Sequence, residues 1–271
     1  MGTEPTGKKS RPLIAAIIQA RMGSSRLPGK SLCPIGGQPL LGHIIDRLKA
    51  CRLLDKVVVA TTTAPEDDAL AAYAAGKSAG VFRGGRDDVL DRYFRATQET
   101  GAEVVIRITA DDPFKDPEVI DQVTACVLGN PDLDYASNTL QPTFPEGLDV
   151  EVFRASALTK AWREAKLPSE REHVTPYIWK NPGIFRIENI RHAEDLSGLR
   201  WTIDYPEDLV FARAVYENLH VGNRIFLMDE ILALLERQPQ IGQINAGIRR
   251  NEGYLLSIQR ESPKNKDRGQ P

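Results

Sequence analysis

Cysteine is scarce in this chain: Cys33, Cys51 and Cys126 are its only three among 271 residues, and they make no CxxC pair. So sparse and odd a set excludes a secreted disulfide framework and is expected of reduced thiols in a cytoplasmic protein. Long apolar runs are missing as well. The stretch 13–18 is followed by Gln19 and Arg21; it is too short for a membrane span and no small-residue cleavage site comes after it. Neither sign of charge is in excess, with 35 Lys and Arg against 37 Asp and Glu. A nucleic-acid coat would need a clear basic surplus, so no nucleic-acid partner is expected, whereas a local site for a phosphorylated small molecule stays open. The four histidines, His43, His173, His192 and His220, form no HxxxH or HExxH spacing, and GxSxG does not occur. A covalent serine hydrolase is therefore set aside, and His43 and His220 are read as structural. No internal repeat divides the chain.

What is present is an ordinary globular balance, 41% hydrophobic and 27% charged. A chain of this length can bury about three quarters of its unfolded surface and needs no disulfide or metal to fold. Residues 1–12 and 259–271 are polar and read as a leader and a tail, leaving one domain over 13–258. Within it, short apolar runs at 13–18, 57–61, 81–82 and 104–109 alternate with helical patterns at 39–51, 65–79, 87–100 and 117–128. Such strand–helix units predict an α/β fold with a mostly parallel sheet, helices on both faces, and ligands beyond the carboxyl ends of the strands. The second half is less regular. It predicts strands at 134–137, 185–190 and 200–203, and a hairpin or crossover strand in 144–153. Helices are expected at 155–166, 206–219 and 229–237, and another over 170–179 from a Ser169/Glu172 capping box. A sheet extension or dimer element is placed within 134–190.

The segment after the first strand, QARMGSSRLPGK, holds three cations, two hydroxyls and two glycines without an acid. Glycines let backbone N–H groups turn toward an anion, and Arg and Lys neutralise it, so this loop suits a polyphosphate. It is not a P-loop, which would need glycine where Ser24 stands, and it is not a GxGxxG loop.

Two acidic stations follow strands, Asp111-Asp112-Pro113 and Asp204-Tyr-Pro-Glu207-Asp208. Carboxylates without thiol or imidazole neighbours suit a hard cation, above all Mg²⁺. A strand-end Asp is also a common helix N-cap, a role open to Asp204 before Pro206, and Glu207 and Asp208 suit a first helical turn.

The blocks AIIQARMGSSRLPGK, VVVATTTAPEDDAL, FRGGRDDVLDRY, VVIRITADDPFKDP, GLDVEVF, REHVTPYI and LRWTIDYPEDL occur in this order. Together they closely resemble the cytidylyltransferase family of SpsF-type spore-coat polysaccharide proteins and, more distantly, the CMP-octulosonate and CMP-sialic acid synthetases. The resemblance implies a Rossmann-like nucleotidyltransferase fold, a homodimer, CTP and Mg²⁺, and transfer of CMP to a hydroxyl of an acidic sugar for surface polysaccharide. It implies that Ala20, Arg21, Gly23, Ser24, Arg26 and Lys30 meet the nucleotide, with Arg21, Arg26 and Lys30 toward the triphosphate. It implies that Arg83, Arg86 and Asp87 border the base and that Asp111 and Asp204 hold the metal. Asp149, Glu151, Glu172 and His173 are the candidates for the acceptor, and Asp112 for activating its hydroxyl. Glu172 has its competing role in the capping box, and His173 can equally be a packed helix residue. On the acceptor side the sequence departs from the octulosonate enzymes. A glycosyltransferase that consumes a nucleotide sugar, or a non-catalytic nucleotide-binding subunit, are the alternatives; pyrophosphate release from CTP separates them.

Overall fold

The computed structural model describes residues 11–24, 26–222, 224–248, 250 and 252–261. The elements run β1 (Ile14–Gln19), β2 (Pro34–Ile35), β3 (Gln38–Pro39), α1 (Leu40–Lys49), β4 (Lys56–Thr62), α2 (Asp68–Gly76) and β5 (Gly80–Gly84). They continue with α3 (Val89–Thr100), β6 (Val104–Thr109), α4 (Pro117–Gly129), β7 (Tyr135–Ser137), β8 (Glu151–Arg154), α5 (Ala155–Glu164), α6 (Pro168–His173) and α7 (Pro176–Trp179). Last come β9 (Ile187–Asn189), α8 (Pro206–Leu219), α9 (Met228–Arg237), α10 (Pro239–Gly242) and α11 (Glu252–Glu261).

A seven-stranded sheet in the order β5-β4-β1-β6-β8-β7-β9 forms the frame. β1 lies between β4 and β6, parallel to both, and β8 is the strand that runs against its neighbours. The expected mostly parallel α/β sheet with a small extension is what the chain forms. Because a central parallel strand is covered on both faces, β1 needs no polar alternation. Its Ile14, Ala16 and Ile18 enter one core with α1, α2, α4, α8 and α9, while Ala15 and Ile17 enter the other with α3, α5 and α7. The register pairs Gln19 with both Ala60 and Thr109. The loop after β1 and the acids after β6 therefore leave the sheet side by side.

Several boundaries differ from those the sequence suggests, each for a local reason. The helix expected over 170–179 begins earlier and breaks. Glu170, not Glu172, accepts the N–H groups of Lys166 and Leu167, at 3.1 Å each, so Pro168 becomes the first helical residue. The break comes at Val174, which takes φ 73°, just before Pro176 starts a new turn. Asp88 caps α3 by accepting the Asp91 N–H, which leaves Asp87 outside the helix. Of 144–153 only the end is strand, and 200–203 makes a single bridge, Glu146 to Arg200. Gly147, at φ 105°, explains this: a Cβ there would lie 2.7 Å from the Trp201 carbonyl carbon, so the two backbones touch without a ladder. Arg11 pairs with Asp55 at 2.6 Å, and Glu261 belongs to α11 and binds Ser169, so neither belongs to a free end. The remainder of the leader and tail, 1–10 and 262–271, lies outside the described residues. The three cysteines are free, as expected.

Candidate active site

Where the strands end, two acidic stations far apart in sequence meet one lysine. Lys30 Nζ donates to Asp111 at 2.9 Å, to Asp204 at 2.7 Å and to the Ile203 carbonyl at 2.7 Å. The Ile203 N–H in turn donates to the Asp111 carbonyl at 2.8 Å, fixing one station against the other. Arg26 reaches Asp204 at 2.7 Å and stacks over the Tyr205 ring. Burial alone would push the Asp204 carboxyl up, but Lys30 and Arg26 outweigh it and hold its pKa at about 2. Burial works against the Lys30 ammonium too, and the two acids more than restore it, raising its pKa above the usual lysine range. Asp204 is therefore not the cap of α8. That task falls to Asp208, which accepts the Asp204 and Tyr205 N–H groups at 2.9 Å and is held by the buried Arg200.

The loop is held from a side the sequence reading overlooked. Buried Asp67 accepts the Met22 N–H at 2.7 Å and bonds Thr62, tying the loop to the end of β4. The loop closes on itself where the Gly29 N–H meets the Met22 carbonyl at 2.9 Å, with Gly29 at φ 72°. The only signal for Asp67 is its place in the acidic PEDD turn, where it looks like any first-turn acid.

Two adjoining cavities open around the Lys30 cluster. The smaller, about 260 Å³, is lined by Ala20, Arg21, Ser24, Arg26 and Lys30 together with Glu172 and His173. The larger, about 650 Å³, holds Arg107, Asp149, Glu151, Trp179 and Tyr254. Gln19, Arg26, Thr109, Asp111, His173 and Asp204 line both, so the two stations stand at the seam between the lobes. Gly23 sits against Arg86, whose Nη2 would lie 3.2 Å from a Cβ at that position.

Other residues expected here are held by partners of their own. Arg83 is turned away, donating to the Thr62 and Ala64 carbonyls at 2.8 and 3.0 Å and pairing with Asp68 at 2.6 Å. Asp87 is exposed and lines neither lobe. Among the acceptor candidates, Asp149 pairs with Arg250 at 2.5 Å. Glu151 is buried between Arg107, Tyr135 and Thr175. Glu172 and His173 both reach Ser257 of α11, at 3.1 and 3.0 Å. Burial, and after it Arg107, lower the His173 pKa to about 4, so its ring is neutral at pH 7. Asp112 is raised to about 6, chiefly by burial, despite Lys115 at 2.8 Å. His43 is buried and structural, its Nε2 2.7 Å from the Ile35 carbonyl.

The donor set fits the magnesium ion that the resemblance implies. Asp111 and Asp204 offer two hard carboxylate oxygens of the kind the ion takes, and both contact Lys30 Nζ. Among the described residues no three His, Cys, Asp or Glu side chains could enclose a metal by themselves. Mg²⁺ commonly takes one or two protein carboxylates and completes its shell with phosphate oxygens and water. Among the described residues no helix is long and apolar enough to cross a membrane.

Comparison with known proteins gives this geometry a context. A family profile described as cytidylyltransferase matches residues 15–229. The chain is 35% identical to the spore coat polysaccharide biosynthesis protein SpsF of Bacillus subtilis, over 83% of this chain and 95% of that protein. It is 32% identical to a 3-deoxy-manno-octulosonate cytidylyltransferase of Anaeromyxobacter dehalogenans, over 74% of this chain and 97% of the relative. Its fold superimposes on the solved structure of a cytidylyltransferase from Leptospira borgpetersenii with a TM-score of 0.81, at 33% identity, covering 85% of this chain and 96% of that one.

Proposed function

The chain belongs to the cytidylyltransferase family, and from that premise we propose that it transfers CMP from CTP to a hydroxyl of an acidic sugar, with release of pyrophosphate. The pathway in this reading is surface polysaccharide biosynthesis, in keeping with the name of the Bacillus subtilis relative. The observation that carries the reading is the meeting of Asp111 and Asp204 on Lys30 at the seam of a two-lobed cleft. One lobe has the basic loop for a triphosphate, and the other has room for a sugar.

In this mechanism the acceptor hydroxyl attacks the α-phosphorus of CTP, gives up its proton to Asp112 or to water, and the bond to pyrophosphate breaks. Arg21 meets the phosphates from the loop, and Arg26 and Lys30, held against Asp111 and Asp204, add positive charge beside the phosphoryl oxygens as these gain negative charge. Asp111 and Asp204 would hold Mg²⁺, which supplies Lewis-acid polarisation and charge neutralisation when bound. No covalent enzyme intermediate is required, so the residues act by positioning and electrostatics. A homodimer in the cytoplasm belongs to the same reading.

The test is pyrophosphate release with Mg²⁺, comparing CTP with UTP, ATP and GTP across a panel of sugar acids. Release that requires CTP and one acceptor is expected. Lys30→Ala should lower the rate by about ten- to a hundred-fold, the loss of a charge-assisted contact. Unchanged activity in that variant, or no CTP binding by calorimetry to the parent protein, rejects the reading.

A further inference from the structure

Six buried side-chain atoms among the described residues have no hydrogen-bond partner: Gln19 Oε1, Thr61 Oγ1, Arg92 Nε, Arg107 Nε, Arg250 Nε and Tyr254 Oη. Buried polar groups are rarely left unpaired, because each one forfeits its hydration, so each such atom calls for a partner such as a water, an ion or a ligand. Gln19, Arg107 and Tyr254 all line the larger lobe.

Arg107 is the informative member. It projects from β6 opposite Glu151 of β8 in the strand register. Its Nη1 donates to Glu151, whose carboxylate also receives the Tyr135 hydroxyl at 2.8 Å and the Thr175 hydroxyl. Glu151 is thus a strut that fixes the guanidinium plane and leaves the Nε edge unused. Every cation around the lobe is ion-paired, Arg107 with Glu151 included, so what Arg107 leaves unused is its Nε and not its charge. Arg26 is paired with Asp204, Lys30 with both stations, Arg200 with Glu146 and Asp208, and Arg250 with Asp149. A guanidinium held in one plane with a free edge matches the planar fork of a carboxylate. Gln19 offers a carbonyl oxygen, which takes a hydroxyl donor, and the Tyr254 hydroxyl can serve either way. The rings of Trp179 and Tyr254 add flat apolar surface to the same cavity.

We propose that Gln19, Arg107 and Tyr254 are the acceptor-recognition subsite, with the free edge of Arg107 taking the acceptor's carboxylate and Gln19 one of its hydroxyls. This rests on the reading of the larger lobe as the acceptor side of a CMP transfer. Glu151 is then a positioning residue and does not touch the acceptor.

Calorimetry on the protein saturated with Mg²⁺ and a non-reacting α,β-methylene analogue of CTP tests the proposal, with 3-deoxy-manno-octulosonate, N-acetylneuraminate and neutral mannose as probes. At least one acid should bind and mannose should not. Arg107→Lys keeps a positive charge beside Glu151 but loses the fork, so it should weaken the bound acid by about tenfold or more. Gln19→Leu, which disturbs no ion pair, should weaken it by a smaller factor. In Arg107→Lys, which alters the larger lobe alone, affinity for the analogue should stay within about twofold, a change of under 0.5 kcal/mol. Failure of the parent protein to bind either acid while the analogue binds overturns the subsite. So does equal weakening of acid and analogue, or unchanged acid affinity, in Arg107→Lys. Failure to bind the analogue at all rejects the cytidylyl-transfer reading instead.

Discussion

The smaller lobe takes most of its wall from segments that directly follow β1 and β6, closed by Glu172, His173 and Ser257, whereas the larger lobe adds to the same strand ends an antiparallel strand, a broken helix pair and Tyr254 of α11. In the first, one register, Gln19 to Thr109, delivers the basic loop and Asp111 to the same place. In the second, polar side chains are consumed in holding the backbone around them: Glu151 by three donors and Asp149 by Arg250. The lesson is that a conspicuous acid after a parallel strand is free to be chemical, while an equally conspicuous acid in an irregular region is often structural.

The largest effect expected concerns the seam that joins the two halves. Asp204→Asn should lower kcat by about a hundred- to a thousand-fold, the scale of losing one preorganised electrostatic group. Asp111→Asn should cost a similar factor, and the double variant little more, because residues that act as a unit are not additive. Fully multiplicative losses in pyrophosphate release would show that the two stations work separately.

Next in size is an acid effect that the seam shares with a buried site outside both lobes. Burial lowers the pKa of His43, under β2, and of His173, at the seam, to about 4 from an ordinary 6.5. A folded pKa below the unfolded one gives stability that is present above pH 6.5 and lost as pH falls toward 4, about 3 kcal/mol at most per histidine. Asp112, raised to about 6, has the opposite sign: what it contributes is full at low pH and is lost as pH rises through 6. Urea unfolding of His43→Asn and His173→Asn between pH 7 and 4 should give shallower acid slopes than the parent. Equal flattening says that burial matters and location does not.

Gly147→Ala probes the irregular half by itself. A Cβ at φ 105° against the Trp201 backbone should cost about 2 kcal/mol or more, read by the denaturation midpoint. The smallest effect is expected from Asp87→Ala. Asp87 is exposed outside both lobes, so KM for CTP should change by no more than about twofold, the scale of an ordinary surface substitution. A larger rise would return Asp87 to the nucleotide site.

The difference between the halves also decides how much could be read from sequence. Lys30, Asp111 and Asp204 were legible because each follows a strand pattern or a well-marked block, and the fold class was legible from the alternation of apolar runs and helices. Which residues Lys30 holds was not, since its two partners lie 81 and 174 residues away. Arg107 gave no signal: an Arg inside VVIRIT looks like an interruption of a buried strand until β8 is found beside it. Ser169 and Glu172 have the spacing of a capping box, but Pro168 and Glu170 start the helix sooner, and the Ser169 hydroxyl is taken by Glu261. Arg83 and Asp87 sit in a block that resembles the family closely, yet resemblance of a block does not fix which way each side chain turns.

The lysine at the seam has a consequence for how the molecule comes together. Its pair with Asp204 closes a loop of 174 residues, among the longest-range contacts between described residues, while its pair with Asp111 spans 81. Contacts so distant in sequence pay the largest closure entropy, and folds reach them last. A partly folded chain can possess its core strands while the two stations remain strangers, so turnover begins only when folding has ended. Activity is therefore a stricter gauge of a completed fold than helix content or compactness.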